Sequence, residues 1–430
     1  MKIIVKESTV IRPAEDLPSQ CLWLSNLDLL HERNNVPTVY LYRSNDSCNS
    51  FDANVLKVAM RKVLVEFYPV AGRLGKDDNG RLQINCNNEG VLFIEAETDS
   101  SMDDLGDVMV NLKIPQLIPT LDFSNGISSF PLFVVQATTF TCGGVSLGIR
   151  FHHVLADGSA ALYFINTWCD VARGLSINVS PMIDRTILRS QDPPNPKFQH
   201  LEFGKPLTLN TNSTKNQTNS IEILKFTPDQ LNTLKTKVNS NSKDGRTKYS
   251  SYEILTAHIW RCTCRARNLA DDQATKLYIS VDGRSRLQPQ LPHSYFGNVT
   301  FPTTSIALCG DLLSEPLMAT AERIRKAIRR MDDEYLRSAV DYLQVLDDLT
   351  PVMRGPDACR CPNLHIISWM WLPFYEADFG MGKPIYVRPA NPLEGKGYVI
   401  PTPGDDRNWA LSICLETDHM HSFQKLFYDF

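Results

Sequence analysis

Apolar residues recur along residues 54–67 at three- and four-residue steps (Val55, Leu56, Val58, Ala59, Val63, Leu64 and Phe67), which predicts a helix with one buried face. Tyr68-Pro69-Val70-Ala71-Gly72-Arg73-Leu74 follows, where proline and glycine end that helix and a strand begins. Residues 81–84 and 90–96 read as strands around the Asn87-Asn88-Glu89-Gly90 turn. Residues 131–141 form a further strand, and Cys142-Gly143-Gly144 connects it to the apolar run Val145-Ser146-Leu147-Gly148-Ile149. An amphipathic helix is predicted over 159–174. Beyond the middle of the chain, Pro228-Asp229-Gln230-Leu231 opens a helix and 249–267 forms a longer one. Strand pattern returns at 277–281, helix pattern at 313–331, and roughly the last seventy residues read as strands with Pro/Gly turns. Both halves therefore mix helix and sheet, the signature of an α/β protein.

At 430 residues the chain exceeds what one hydrophobic core supports, so two domains are expected. The pattern lapses between about 191 and 220. There Asp192-Pro193-Pro194-Asn195-Pro196 precedes the polar stretch from Asn210 to Asn219, which cannot build a core. This gives domains at 1–190 and 221–430, joined by a crossover linker at 191–220. With 44 basic and 48 acidic residues mixed along the chain, a broad surface for nucleic acid or anionic membrane is excluded. The N-terminus lacks the apolar core of a signal peptide, and no apolar run approaches the ~20 residues that span a bilayer. A soluble, cytoplasmic protein is expected. The eleven cysteines form no C-x-x-C pair, and no histidine pair completes a metal set, so free, mostly buried thiols are expected. Asn212 and Asn298 head sequons that should stay unmodified without export.

The candidate chemistry begins at Phe151-His152-His153-Val154-Leu155-Ala156-Asp157-Gly158. A neutral imidazole at the end of a buried strand can take a proton from a substrate hydroxyl near neutral pH. An aspartate four residues on, followed by glycine, can brace the turn that aims the ring. His152 and His153 point to opposite faces if the strand continues, and that geometry alone leaves either open as the base. Val281-Asp282-Gly283-Arg284-Ser285-Arg286 sets two arginines just beyond a strand. Asn298 ends Tyr295-Phe296-Gly297-Asn298, Arg354 opens a Gly-Pro loop before Ser368-Trp369, and Ala377-Asp378-Phe379-Gly380-Met381-Gly382 is a double-glycine loop. A kinase reading of Asp378-Phe379-Gly380 fails, because neither a Gly-rich phosphate loop nor a His-Arg-Asp loop precedes it.

Taken together, these residues resemble the plant BAHD acyltransferases, which move an acyl group from coenzyme A to an alcohol or amine. The resemblance runs the whole length, through Tyr68-Pro69-x-Ala71-Gly72-Arg73, His153-x-x-x-Asp157-Gly158, Asp282-Gly283-Arg284-Ser285-Arg286 and Asp378-Phe379-Gly380-x-Gly382. The hydroxycinnamoyl-CoA branch is resembled more closely. The segments responsible are Leu22-Trp23-x-Ser25-Asn26-x-Asp28-Leu29, Phe164-Ile165-Asn166-Thr167-Trp168, Ile183-Asp184-Arg185-Thr186, the run from Met331 to Ala339, and Cys361-Pro362-Asn363-Leu364. The resemblance implies two similar-sized mixed-sheet α/β domains of the CoA-dependent acyltransferase type with a solvent channel between them. It also implies a monomer that binds no permanent cofactor, with a coenzyme A thioester as co-substrate and a small-molecule acceptor. His153 is implied as general base and Trp369 as oxyanion donor. Structural roles fall to Asp157, with an arginine partner, to Gly158, Gly380 and Gly382, and to an Asp378–Arg284 pair. Ser250 and Ser251 fall where the family meets the CoA nucleotide, at a helix start that favours phosphate.

Departures from the family pattern bear on the acceptor. Arg354 matches the arginine that grips a carboxylate, for which a guanidinium fork is suited. A usual threonine before Ser-Trp is Ile367 here, and another is Val36, beside Thr38 and Tyr40. Val154 replaces the alanine that follows the second histidine in shikimate-using members, and Met381 stands where tryptophan is usual. A ring polyol would lose partners at positions 36 and 367, at ~1–3 kcal/mol for each buried unpaired hydroxyl. The expected reaction is hydroxycinnamoyl transfer to an aromatic 2-hydroxy acid such as 4-hydroxyphenyllactate, giving a rosmarinic acid-type ester. Shikimate or quinate transfer is the alternative within the class, and a decayed binding homologue the alternative outside it.

Overall fold

Helix α2 (Ala53–Glu66) shows how local sequence sets the elements. Asp52 caps it by accepting from the Asn54 amide, and Leu56, Ala59, Met60, Val63 and Leu64 supply its buried face. The computed structural model describes residues 1–31, 35–44, 51–106, 114–122, 124–210, 218–239, 248–353, 355–390, 392–404 and 408–430. The early strands are β1 (Ile3–Ile11), β2 (Gln20–Trp23), β3 (Asn35–Tyr42), β4 (Arg73–Lys76), β5 (Leu82–Cys86), β6 (Val91–Thr98), β7 (Phe133–Thr139) and β8 (Val145–His152). The later ones are β9 (Asn219–Phe226), β10 (Ala274–Asp282), β11 (Thr300–Leu308), β12 (Leu364–Ser368), β13 (Tyr386–Pro389), β14 (Lys396–Pro401) and β15 (Trp409–Glu416). Helices are α1 (Asn26–Leu29), α2 (Ala53–Glu66), α3 (Gly158–Ala172), α4 (Pro228–Asn239) and α5 (Ser251–Ala266). They continue with α6 (Cys309–Ser314), α7 (Leu317–Arg329), α8 (Asp333–Gln344) and α9 (Thr417–Phe427).

The chain folds into two units, and the division is not a single cut. Unit 1 comprises Met1–Ser190, Leu291–Val299 and Leu372–Asn391, and unit 2 comprises Gln191–Gln290, Thr300–Trp371 and Pro392–Phe430. The Asp378 loop, expected in the C-terminal domain, thus belongs to unit 1. The reason is strand pairing: β13 adds antiparallel to β3, with Val387 opposite Tyr40. Unit 1 is built on a mixed sheet in the order β1-β6-β7-β8-β3-β13, plus a small sheet β2-β5-β4. Phe151, Phe164 and Trp168 gather edge-to-face around Phe133, and Phe151 also meets Phe164 at a tilt, so α3 packs on the strand that leads to His153.

Unit 2 holds a second mixed sheet, β11-β10-β12-β14-β15-β9. Its middle strands β10, β12 and β14 run parallel. The Pro-rich segment after residue 190, expected as part of a linker, is pinned to α8 in this unit. Asp341, 2% exposed, accepts from the Gln191 and Asn195 amides at 3.1 Å each and from the Gln191 side chain. Ser338 Oγ accepts from Lys197 N at 2.8 Å, and Tyr335 donates to buried Glu202 at 2.9 Å. The polar stretch at 211–217 lies outside the described residues. Asp341→Ala orphans three donors and is expected to cost ~2–3 kcal/mol in urea unfolding. It should also make the segment near residue 195 cleavable by protease, and an unchanged midpoint would refute this.

Two further sequence expectations are revised. The helix expected over 313–331 is two helices, because Pro316 ends one and caps the next. The terminal stretch is not all strand, since α9 closes it with Met420, Phe423 and Phe427 buried.

Candidate active site

His153 lies in the turn between β8 and α3, half-buried. The turn is fixed from both ends. Asp157 caps α3, its Oδ1 accepting from Ala160 N at 3.1 Å and its Oδ2 from Val299 N at 2.9 Å. The fully buried Arg185 guanidinium donates to the carbonyls of Val154 and Leu155, directly after His153. Gly158 opens α3, and a Cβ there would meet Leu372 Cδ1 at 3.1 Å.

The ring of His153 is oriented by Asn298, whose Oδ1 lies 3.0 Å from His153 Nδ1. The amide has no freedom to flip. Its Nδ2 donates to Asp28 Oδ1 at 2.8 Å and to the His153 carbonyl at 2.8 Å, both pure acceptors. Oδ1 must therefore face the ring, so Nδ1 carries the proton and donates. The lone pair is left on Nε2, which is the form a general base needs.

Asp28 anchors this relay. Its carboxylate, fully buried, accepts at Oδ2 from Ser25 N (2.8 Å) and Ser25 Oγ (2.7 Å) in the capping box of α1. At Oδ1 it accepts from Asn298 N and Nδ2, and Arg185 Nη1 lies 3.2 Å away. The segments quoted around Asp28, Arg185 and Asn298 thus share one site. Their individual roles were not read from the sequence. Asn298 is 0% exposed with its side-chain amide fully engaged, so its sequon is sterically closed to glycosylation.

His152 is set apart from its neighbour. It is buried beside Phe130 (ring centroids 5.8 Å), and burial first, then the neighbouring His153, push its pKa down to about 4. It stays neutral near pH 7.

The other expected residues separate by unit. In unit 1, Asp378 Oδ1 accepts from the amides of Gly380 (2.7 Å) and Gly382 (3.0 Å), whose φ angles of 96° and 91° only glycine adopts without strain. Phe379 is buried edge-on against Trp168, centroids 4.5 Å apart, so this loop is a plug into the core. Met381 is half-buried on the same loop. Val36, Thr38 and Tyr40 share one face of β3, opposite Phe151, Ile149 and Leu147 of β8. Tyr40 is 1% exposed, and its hydroxyl is buried without a hydrogen-bond partner among the described residues.

In unit 2, the parallel strands all present their carboxyl ends to one edge of the sheet. Arg284 follows β10, its Nη1 3.2 Å from Asp282 Oδ1, while Ile367 and Trp369 stand at the end of β12. Trp369 is buried, its ring 4.9 Å from that of Tyr398. Tyr252 donates to the Ile366 carbonyl at 2.7 Å, which brings the start of α5 to the same edge. Carboxyl ends of parallel strands beside a helix N-terminus are the usual ligand crevice of open α/β sheets. Ser250 caps α5 by accepting from Glu253 N at 3.2 Å, and Ser251 is the first helical residue. Arg354 lies outside the described residues. Among the described residues no group of three or more His, Cys, Asp or Glu side chains could hold a metal ion, and no helix is long and apolar enough to cross a membrane.

The fold has close solved counterparts. Vinorine synthase superposes with a TM-score of 0.75 at 21% identity, covering 98% of this chain and 96% of that one. TRI101 of F. sporotrichioides, complexed with coenzyme A and T-2, gives 0.77 at 20% identity over 94% and 97%. The family model and the curated relatives define the class as a CoA-dependent acyltransferase. The chain belongs to the Transferase family of BAHD enzymes, which it matches over residues 1–430. It is 50% identical to shikimate O-hydroxycinnamoyltransferase of Nicotiana tabacum and 46% identical to rosmarinate synthase of Plectranthus scutellarioides, each over the full length of both chains. A hydroxycinnamoyltransferase of Narcissus pseudonarcissus is 47% identical, again end to end. The activity is hydroxycinnamoyl transfer, with a CoA thioester as co-substrate.

Proposed function

We propose that the protein transfers a hydroxycinnamoyl group, coumaroyl or caffeoyl, from CoA to the hydroxyl of an aromatic 2-hydroxy acid such as 4-hydroxyphenyllactate. The observation that carries the chemistry is the 3.0 Å contact of His153 Nδ1 with Asn298 Oδ1, which supports Nε2 as the proton acceptor. Nε2 takes the hydroxyl proton as the acceptor oxygen attacks the thioester carbonyl. The C–S bond of the tetrahedral intermediate then breaks, and the departing thiolate takes the proton back from the imidazolium. The Asn298 carbonyl dipole, braced by Asp28, favours the imidazolium as it forms. Trp369 is assigned as the oxyanion donor, Ser250 and Ser251 to the CoA nucleotide, and Asp378 with Arg284 to architecture, all on family resemblance.

Acceptor choice rests on hydrocarbon at Val36 and Ile367, on the unpartnered hydroxyl of buried Tyr40, and on Arg354 as the carboxylate clamp. A flat ring bearing one phenol suits these better than a ring polyol. The 50% identity to the tobacco shikimate enzyme favours the second reading, shikimate or quinate.

Release of CoA thiol from 4-coumaroyl-CoA with each acceptor tests both readings. Faster release with 4-hydroxyphenyllactate than with shikimate is expected, and the reverse order would replace the acceptor. No release with any alcohol or amine would point to a binding homologue. Arg354→Ala is expected to raise the KM for carboxylated acceptors roughly 10- to 100-fold, the equivalent of one charge-assisted hydrogen bond, with little change for the thioester.

A further inference from the structure

The ring of His31, which follows α1, lies face to face with that of His153, centroids 3.8 Å apart and planes 12° from parallel. The main chain fixes its place, since His31 N donates to the Asp28 carbonyl at 3.0 Å. One short segment thus supplies both the carboxylate behind Asn298 and a second imidazole over the base.

The geometry limits what this second ring can do. Stacked rings point their nitrogens along their own planes, so neither N–H aims at the other ring's lone pair. His31 is therefore not a relay for the proton that His153 accepts. The faces do, however, bring two titratable groups into contact, and two positive charges at about 4 Å repel strongly even when partly solvated. Such a pair takes up its protons as a unit, the first entering easily and the second resisted.

We infer that His31 is a positioning residue that packs the face of His153 and competes with it for protons, keeping the base neutral to lower pH than an isolated imidazole in its place. The inference rests on His153 being the base. Among the described residues, the charged or titratable groups of the network around the pair are Asp28, Arg185, His152 and Asp157. Asp28 sits behind Asn298, and its charge is met by Arg185 at 3.2 Å. His152, on β8, is neutral through burial, and the Asp157 carboxylate at the start of α3 accepts from the Ala160 and Val299 amides.

His31→Phe keeps an aromatic face and removes the titrating charge. It should move the acid limb of the kcat/KM profile upward by roughly half to one pH unit, lowering the ratio of rates at pH 6 and pH 8.5 about two- to fivefold. His31→Ala also loses the packing and should in addition lower kcat across the profile. Imidazole NMR titration of the free enzyme gives an independent readout: the His153 midpoint should rise in His31→Phe. An unmoved His153 midpoint would overturn the inference. A midpoint that rises while the rate profile stays put would instead remove His153 as the base, so the two failures are told apart.

Discussion

Replacing His153 by alanine is expected to lower kcat by roughly 10²–10⁴-fold with 4-coumaroyl-CoA and the preferred acceptor, the range general-base assistance contributes. The unfolding midpoint should stay near that of the parent, because the ring is only half-buried and its main-chain carbonyl still receives the Asn298 amide. His152 cannot substitute, being buried beside Phe130 and disfavoured as a cation. Asn298→Ala should lose much of the same activity, since the ring then has no fixed tautomer or direction. A His153→Ala enzyme with parental kcat would remove this residue as the base.

The second large effect is structural. Asp28→Ala is expected to destabilise unit 1 by about 3–5 kcal/mol, the cost of breaking a buried ion pair from one side. The carboxylate receives the Ser25 amide and hydroxyl, both Asn298 nitrogens and Arg185, and alanine leaves all of them short of an acceptor. Asp28→Asn keeps the shape but turns an NH₂ toward a set of donors, so it should also destabilise. Urea unfolding measures both. In a double-mutant cycle with Arg185→Met the two losses should be well short of additive, because the second change no longer strands a charge. Additive losses, or an Asp28→Ala change below about 1 kcal/mol, would contradict the network.

What the sequence made legible was set by locality. The helix read over 54–67 is Ala53–Glu66, because a 3.6-residue period and an Asp cap are both local signals. Helix α9 escaped because it joins β15 with no turn residue between Glu416 and Thr417, so nothing local marks the change from strand to helix. The same holds for the site. The turn that carries His153 was legible from the strand end and the spacing to Asp157. Asn298 and Asp28 were not, for their contacts span 145 and 270 residues, and nothing in either local pattern announces a partner that distant. The division of the chain failed in the same way, since a strand that pairs with β3 from residue 386 looks in sequence like any terminal strand.

The late arrival of Leu291–Val299 and Leu372–Asn391 in unit 1 has a consequence for the protein as it is made. A ribosome that has exposed the first 290 residues has delivered His153, its turn and the buried acid, but not the amide that joins them. The nascent half must hold Asp28 and Arg185 together without Asn298, and leave the edge of β3 uncovered until β13 emerges. Unit 1 is therefore complete only once β13 has been made, and residues 1–190 do not by themselves contain the whole unit.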